Sequence, residues 1–438
     1  MANKRRPRKT RGLHYKKYVY GVQDKQDIIE EDHQFKKDDG SHKPVFKGSW
    51  YGVEWPMSQF RKVDVLTVAL ALEKGFQVVP LDDDNDASKR MKLPFELIIE
   101  ILLRTDKPTC LNHLLICKAT YHMLLPLKYK HPLLTSTNFL KFVDMITLPI
   151  NRNRFTNYVK VLDLSHTIQA GKNSYVSKLL RRFSKTLEVF VSSQTSFGIS
   201  PLVSLRLCSN LKVLDLHLVS ETVNLKELFK AIEHCQHLEQ LSFPRSSITC
   251  EDFNIKWPED LWFLKIQGGI TDEFLFGSWF PETITNLEFS HCPHITGDSV
   301  NDLLMRIGMN LTHLSIYYPM PNLKSNSMDT VFLYCPNLTF LYMNIEYISR
   351  DAFDENLLPL LEGDYDRPLK TLIIDASGLL GEGAKLHPDD LTIAVCEERL
   401  PELVSLKLSR LLGWNFEGDD VSDLVNELEN RDGSLYTI

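Results

Sequence analysis

From about residue 155 onward the chain repeats one six-residue phrase: an apolar residue, two variable ones, a leucine, one variable residue and another apolar one. The copies begin at Val159, Leu187, Leu211, Leu238, Leu261, Ile284, Leu311, Leu338, Leu369 and Leu403, 23 to 34 residues apart, with the Leu187 copy degenerate. Ten copies restrict the fold more than any other property of the chain. Each phrase suits one short strand and the residues between suit a helical return. Such a unit buries its apolar side only by stacking on its neighbours. The expectation is an α/β array over residues 155–415, a curved solenoid, with residues 416–438 left as an acidic C-terminal tail.

The spaces between the phrases sharpen the type. After Ile284 to Phe289 comes Ser-His-Cys-Pro-His-Ile-Thr-Gly-Asp-Ser-Val, then an apolar helix through Leu303, Leu304 and Ile307. Cys208, Cys235 and Cys335 each stand three residues before the first leucine of a phrase, which marks a repeated buried position. The array resembles the leucine-rich repeats, in their cysteine-containing subtype. His234-Cys-Gln-His237 and His291-Cys-Pro-His294 carry the donor types of zinc sites. The first precedes its strand and the second follows one, which sets them at opposite ends of the strand layer, so no metal is expected. Gly378 to Lys385 has neither the spacing of a phosphate loop nor its Ser or Thr, and no local motif assembles a nucleophile with a base. Neither an enzyme nor a cofactor is expected.

Residues 91–135 form a separate helical module. Pro94 suits a first helical turn, Glu96 suits the positive end of the helix dipole, and Leu93, Leu97 and Ile101 fall at i, i+4 and i+8 with Ile98 and Leu102 beside them. A second short helix is predicted after Pro108. These residues resemble the F-box: Leu93, Pro94, Glu96, Leu97, Ile101, Leu102, Pro108, Leu111, Leu115, Ile116, Cys117 and Lys118 fall on its pattern, over roughly 40 residues. The chain departs from it at Thr120, where the family usually carries Trp. The resemblance implies a non-catalytic substrate receptor of an SCF-type cullin-RING ubiquitin ligase. In it Leu93, Pro94, Leu97, Ile101, Leu102, Leu111, Leu115 and Ile116 would dock on a Skp-type adaptor, and through it on a cullin-RING core. The repeats would bind a protein substrate. The alternative is a repeat scaffold or regulatory protein whose helices only cap the array.

The variable positions of successive strands should line up into columns on one face. The middle column reads Asp163, Val191, Asp215, Ser242, Lys265, Glu288, Ser315, Tyr342, Ile373 and Lys407. Around it His313, Tyr317, Phe340 and Tyr342 are expected to form an aromatic patch, flanked by Lys265 and Glu288, as the substrate site. A phosphorylated element would need clustered arginines. The face offers two lysines against Asp163, Asp215, Glu288 and Asp375, so an apolar or basic, unmodified element is expected.

Composition matters at the amino end. With 43% hydrophobic and 24% charged residues the chain as a whole is globular, and no apolar run reaches the ~18–20 residues of a membrane span. Eight scattered cysteines without a C-x-x-C spacing point to a reducing compartment. The first 20 residues hold eight Lys or Arg and no acid, against a net charge of −7 overall, leaving an acidic body. Residues 1–45 are expected to be a disordered basic arm, either a ligand for nuclear import, the use favoured, or a solvated tail, and the protein to occupy nucleus and cytoplasm. Nucleic-acid binding is the rival use, and the acidic body argues against it. Residues 46–90 comprise an aromatic stretch with Trp50, Tyr51 and Trp55, a helix over 63–76 and an acidic linker at Asp82 to Asp86. They are expected either to pack on the following domain or to act as a docking peptide.

Overall fold

The computed structural model describes residues 47–50, 53–56, 94–105, 111–148, 155–167, 173–248, 250, 253–361, 366–378 and 386–438. The basic arm, the helix expected over 63–76, the acidic linker, Leu93, Pro108 and residues 379–385 lie outside them. The chain divides into two compact units, Met1–Lys128 and Tyr129–Ile438.

In the first unit, strands β1 (Lys47–Trp50) and β2 (Val53–Pro56) pair antiparallel. Three helices follow: α1 (Phe95–Leu103), α2 (Leu111–Leu114) and α3 (Lys118–Lys130), the last two residues of α3 falling in the second unit. Pro94 precedes α1 rather than entering it, and its carbonyl accepts the N–H groups of Leu97 and Ile98 at 3.1 and 3.2 Å.

The second unit opens with helix α4 (Phe139–Thr147), which the sequence did not announce. It buries Phe139, Phe142, Val143 and Ile146, and Phe142 meets Phe183 of the first repeat's helix with ring centroids 6.3 Å apart. It thereby covers the end of the core that the first repeat would otherwise leave open.

One sheet of eleven parallel strands follows: β3 (Val161–Asp163), β4 (Val189–Val191), β5 (Val213–Asp215), β7 (Gln240–Ser242), β9 (Phe263–Gln267), β10 (Asn286–Ser290), β11 (His313–Ile316), β12 (Phe340–Asn344), β13 (Thr371–Asp375), β14 (Ser405–Leu408) and β15 (Ser434–Thr437). Two short strands, β6 (Val223–Asn224) and β8 (Ser247–Ile248), pair separately. Strand order equals chain order, as parallel pairing with a return between each strand and the next requires.

The leucine at the fourth place of the phrase sets the register. Leu162, Phe190, Leu214, Leu241, Leu264, Leu287, Leu314, Leu341, Leu372 and Leu406 pair in one line and are at most 1% exposed. Burying each contributes roughly 1.5–3 kcal/mol. The middle column falls in register as read from the sequence, Asp163 through Lys407, and Tyr436 extends it by one strand.

Residues 416–438 are not a tail. Helix Asp419–Glu429 buries Val421, Leu424 and Leu428, and β15 pairs with β14, so an eleventh repeat unit closes the described array. Arginines stitch the later returns together. Arg306 donates to the carbonyls of Leu275 and Ser278 one repeat earlier, Arg367 to those of Phe332 and Pro359, and Arg399 to that of Phe353.

Candidate interaction surfaces

The helical module has a small closed core, and what it leaves outside defines the first surface. Leu102, Leu114 and Leu124 are buried together, with Ile98 and Tyr121 packed against them. Leu102 therefore belongs to the core and not to the docking face, which corrects the sequence reading. Leu97 and Ile101, one turn apart on α1, are 50% and 54% exposed, and Leu115, Ile116 and Pro94 are exposed as well. Leu103, Met123 and Leu127 add exposed apolar area that sequence pattern alone did not single out. The side chain of Leu111, like Leu93, lies outside the description. Pro94, Leu97, Ile101, Leu103, Leu115, Ile116, Met123 and Leu127 are thus all exposed within one short segment.

Thr120, the departure from the family pattern, is buried and caps α3. Its hydroxyl accepts the Cys117 N–H at 3.1 Å, and the Cys117 sulfur accepts the Thr120 N–H at 3.4 Å. This is a capping box with sulfur in the place of an oxygen. Burial raises the Cys117 thiol pKa, but these hydrogen bonds outweigh it and hold the thiol below its ordinary range.

The second surface is the open strand face. The structure resolves the expected aromatic patch into two pairs. His313 and Phe340, at the starts of β11 and β12, stack with centroids 5.7 Å apart and planes 20° apart, and burial lowers the His313 pKa. Tyr317 and Tyr342 meet at 4.4 Å and 35°, beyond the end of β11. The second pair heads a chain of contacts across five strands. The Lys265 ammonium lies 3.0 Å from the Glu288 carboxylate and 5.3 Å from the Tyr317 centroid, and the Tyr342 hydroxyl donates to Asp375 Oδ2 at 2.6 Å. Lys265, Glu288, Tyr317 and Tyr342 are thus one group, while His313 and Phe340 form another. Asp375, which sequence reading counted only as a charge, belongs to the first group. The signal that could have placed it is its position two residues after Ile373, the neighbour of Tyr342 in the column.

The face is framed by further polar contacts. At Asp215 burial pushes the carboxyl pKa up, but hydrogen bonds from His217 hold it below its ordinary value, the ring nitrogen standing at 2.7 Å. Buried Gln267 donates to the carbonyls of His217 and Phe243 at 2.9 and 2.6 Å, tying three repeats together at the strand ends. His291, with a left-handed φ of 53°, is held below its usual pKa by burial and by the charges of Arg245 and Lys265.

Cys208, Cys235, Cys292 and Cys335 are part of the buried core of the array. Cys208, Cys235 and Cys335 are buried at the expected repeated position, and burial pushes their thiols up to about 12, as it does for Cys292. The Cys235 thiol donates to the carbonyl of Ala231 and the Cys292 thiol to that of Ile266. Among the described residues, the His, Cys, Asp and Glu side chains close enough to share an ion are His387, Asp389 and Asp420. All three are exposed in the first turns of their helices, and His387 is the N-cap of its own. No described helix is long and apolar enough to cross a membrane.

Over 385 residues the chain is 48% identical to F-box protein YDR306C of Saccharomyces cerevisiae, an alignment covering 83% of this chain and 80% of that one. It is 34% identical over 343 residues to Protein pof5 of Schizosaccharomyces pombe, covering 77% and 96%. Among solved structures, the yeast Rad7 and Elc1 complex aligns over 79% of this chain and 80% of the other at 14% identity, with a TM-score of 0.41. No protein-family profile matches the chain.

Proposed function

The chain belongs to the F-box proteins, carrying its F-box ahead of a leucine-rich-repeat array, and from that premise we propose that it is the substrate-recognition subunit of an SCF-type ubiquitin ligase. Its helical module docks on a Skp-type adaptor and through it on a cullin-RING core, and its strand face holds a protein substrate. The observation that carries this reading is the set Leu97, Ile101, Leu115 and Ile116, exposed on a module whose own core is already closed by Leu102, Leu114 and Leu124. The adaptor contact rests on these residues with Pro94, and on Leu93 and Leu111.

The subunit performs no covalent chemistry of its own. It positions: tethering a substrate lysine beside a ubiquitin-loaded enzyme replaces a bimolecular encounter by a high effective concentration. The substrate element is apolar or basic and unmodified, because the lysine nearest the aromatic pair is already paired with Glu288 and the column carries no arginine. The basic arm, residues 1–20, directs part of the protein to the nucleus, and neither nucleic acid nor membrane is a partner.

Affinity purification of the full chain from its own cells tests this reading. Adaptor and cullin should be recovered together. A folded chain that recovers neither would establish the scaffold alternative instead.

A further inference from the structure

Asp375 closes β13, and its carboxylate has two partners, both neutral: the Tyr342 hydroxyl at 2.6 Å and the Ala376 N–H at 2.8 Å. A carboxylate accepts about four hydrogen bonds, so half of that capacity is unused. Among the described residues no ion pair includes Asp375. Arg410 and Lys407 are the cations nearest in register on the neighbouring chain segment, and neither is ion-paired to Asp375: the Arg410 Nε donates instead to the Thr437 hydroxyl at 3.3 Å.

The other end of the same stack shows what such a ring pair does. Tyr317 already carries a cation, the Lys265 ammonium 5.3 Å from its centroid, with the charge completed by Glu288. Tyr342 presents the same ring chemistry beside a carboxylate with no cation, and Glu346 adds negative charge there. Burial and then Asp375 hold the Tyr342 hydroxyl protonated well above its usual range, so it remains a donor that orients the carboxylate.

We propose that Tyr342 and Asp375 form a subsite for a basic side chain, an arginine or lysine of an unmodified substrate segment. A planar guanidinium can lie on the Tyr342 ring while its N–H groups reach the unused lone pairs of Asp375, and an ammonium fills the same place as a point charge. A phosphate there would meet Asp375 and Glu346 and be repelled. The inference rests on the strand face being the substrate surface and narrows it to a chemistry.

The test uses the full chain bound to its adaptor and an immobilised array of unmodified peptides, each position fixed in turn as Arg, Lys, Leu or Glu, with a phosphoserine set alongside. Arg- and Lys-fixed peptides should be retained about tenfold or more over Glu and phosphoserine, the size expected of one charge-assisted contact. Asp375→Asn should erase that preference while leaving Leu-fixed peptides as they were, and Asp375→Lys should turn it toward Glu, each with an unchanged thermal midpoint. A basic preference indifferent to both substitutions overturns the subsite. So does selection of phosphoserine, which would place the anion near Arg245, Lys265 and His291, and so does retention of no peptide at all. The broader reading is judged separately by capture of a cellular protein with His313→Ala, whose ring belongs to the other aromatic pair: lost capture keeps the strand face as substrate surface even if Asp375 proves irrelevant.

Discussion

Arg431, in the turn ahead of β15, donates through Nη2 to the carbonyl of Val395 at 2.6 Å, reaching back into the helix of the preceding repeat. Its Nη1 stands 3.4 Å from the carbonyls of Leu400 and Pro401. The side chain does for the last repeat what Arg306, Arg367 and Arg399 do for earlier ones. Arg431→Met keeps an apolar stem and removes the donors, and should cost roughly 1.5–3 kcal/mol, the range of hydrogen bonds from charged groups. A urea midpoint indistinguishable from wild type would show that these contacts add nothing.

On α1 neighbouring residues should behave oppositely. Leu97→Ala with Ile101→Ala should leave stability within about 0.5 kcal/mol, as surface changes do, yet lower adaptor affinity at least about tenfold. Leu102→Ala should instead cost about 2–5 kcal/mol by opening a cavity between Leu114 and Leu124. Calorimetry of binding beside thermal unfolding separates the two. If the double variant still co-purifies with adaptor, the docking face is elsewhere.

At the strand face, Tyr317→Ala with Tyr342→Ala removes the pair that meets at 4.4 Å. Substrate capture from a lysate should fall while the unfolding midpoint is held, and phosphatase treatment of the lysate should leave wild-type capture intact. Capture eliminated by phosphatase would reverse the assignment of an unmodified element.

His291 and His313 both bind protons less readily in the folded chain than at the ordinary value of 6.5: burial lowers both, and Arg245 and Lys265 lower His291 further. Below about pH 6.5 the unfolded chain takes up protons that the folded one resists, so their contribution is present above that pH and is lost as pH falls through it. Chemical unfolding at pH 7.5 and 5.5 should show the loss. His291→Asn, which tolerates the left-handed backbone, together with His313→Gln should flatten it. An equal slope in the variant would assign the pH dependence to other groups.

Deleting residues 1–20 removes eight basic side chains and no acid. Fluorescence microscopy should find the truncated protein shifted toward the cytoplasm, with adaptor binding unchanged. An unaltered distribution would leave the arm without a role in import, and a loss of adaptor binding would mean that the arm contributes to the docking unit.

The repeat was legible because one residue per strand must be apolar and its spacing is set by the return, so Asp163 through Lys407 align from the sequence alone. The last unit escaped because Asp432 stands where the phrase demands its first apolar residue, and because Asp419, Asp420, Asp423, Glu427 and Glu429 outnumber the Val421, Leu424 and Leu428 that carry its helix. Leu102 was misplaced for a different reason. Helix α1 is apolar on nearly every side, and which leucines face inward is decided by Leu114 and Leu124, far off in sequence. The division of the aromatics into two pairs depends on side-chain direction: His313 and Tyr317 share a face but stand four residues apart, more than one ring can span.

The pairing from β3 to β15 is unbroken, each strand adding one rung to every column. Such a face is a graduated scale whose divisions are about 4.8 Å, and distances along it change only by whole divisions. Between Lys265 and Asp375 it counts four, from β9 to β13. Gaining or losing a repeat between two contact points would lengthen or shorten the interval by one division and leave the chemistry at each point untouched. Relatives with the same side chains but a different count would then measure a different partner.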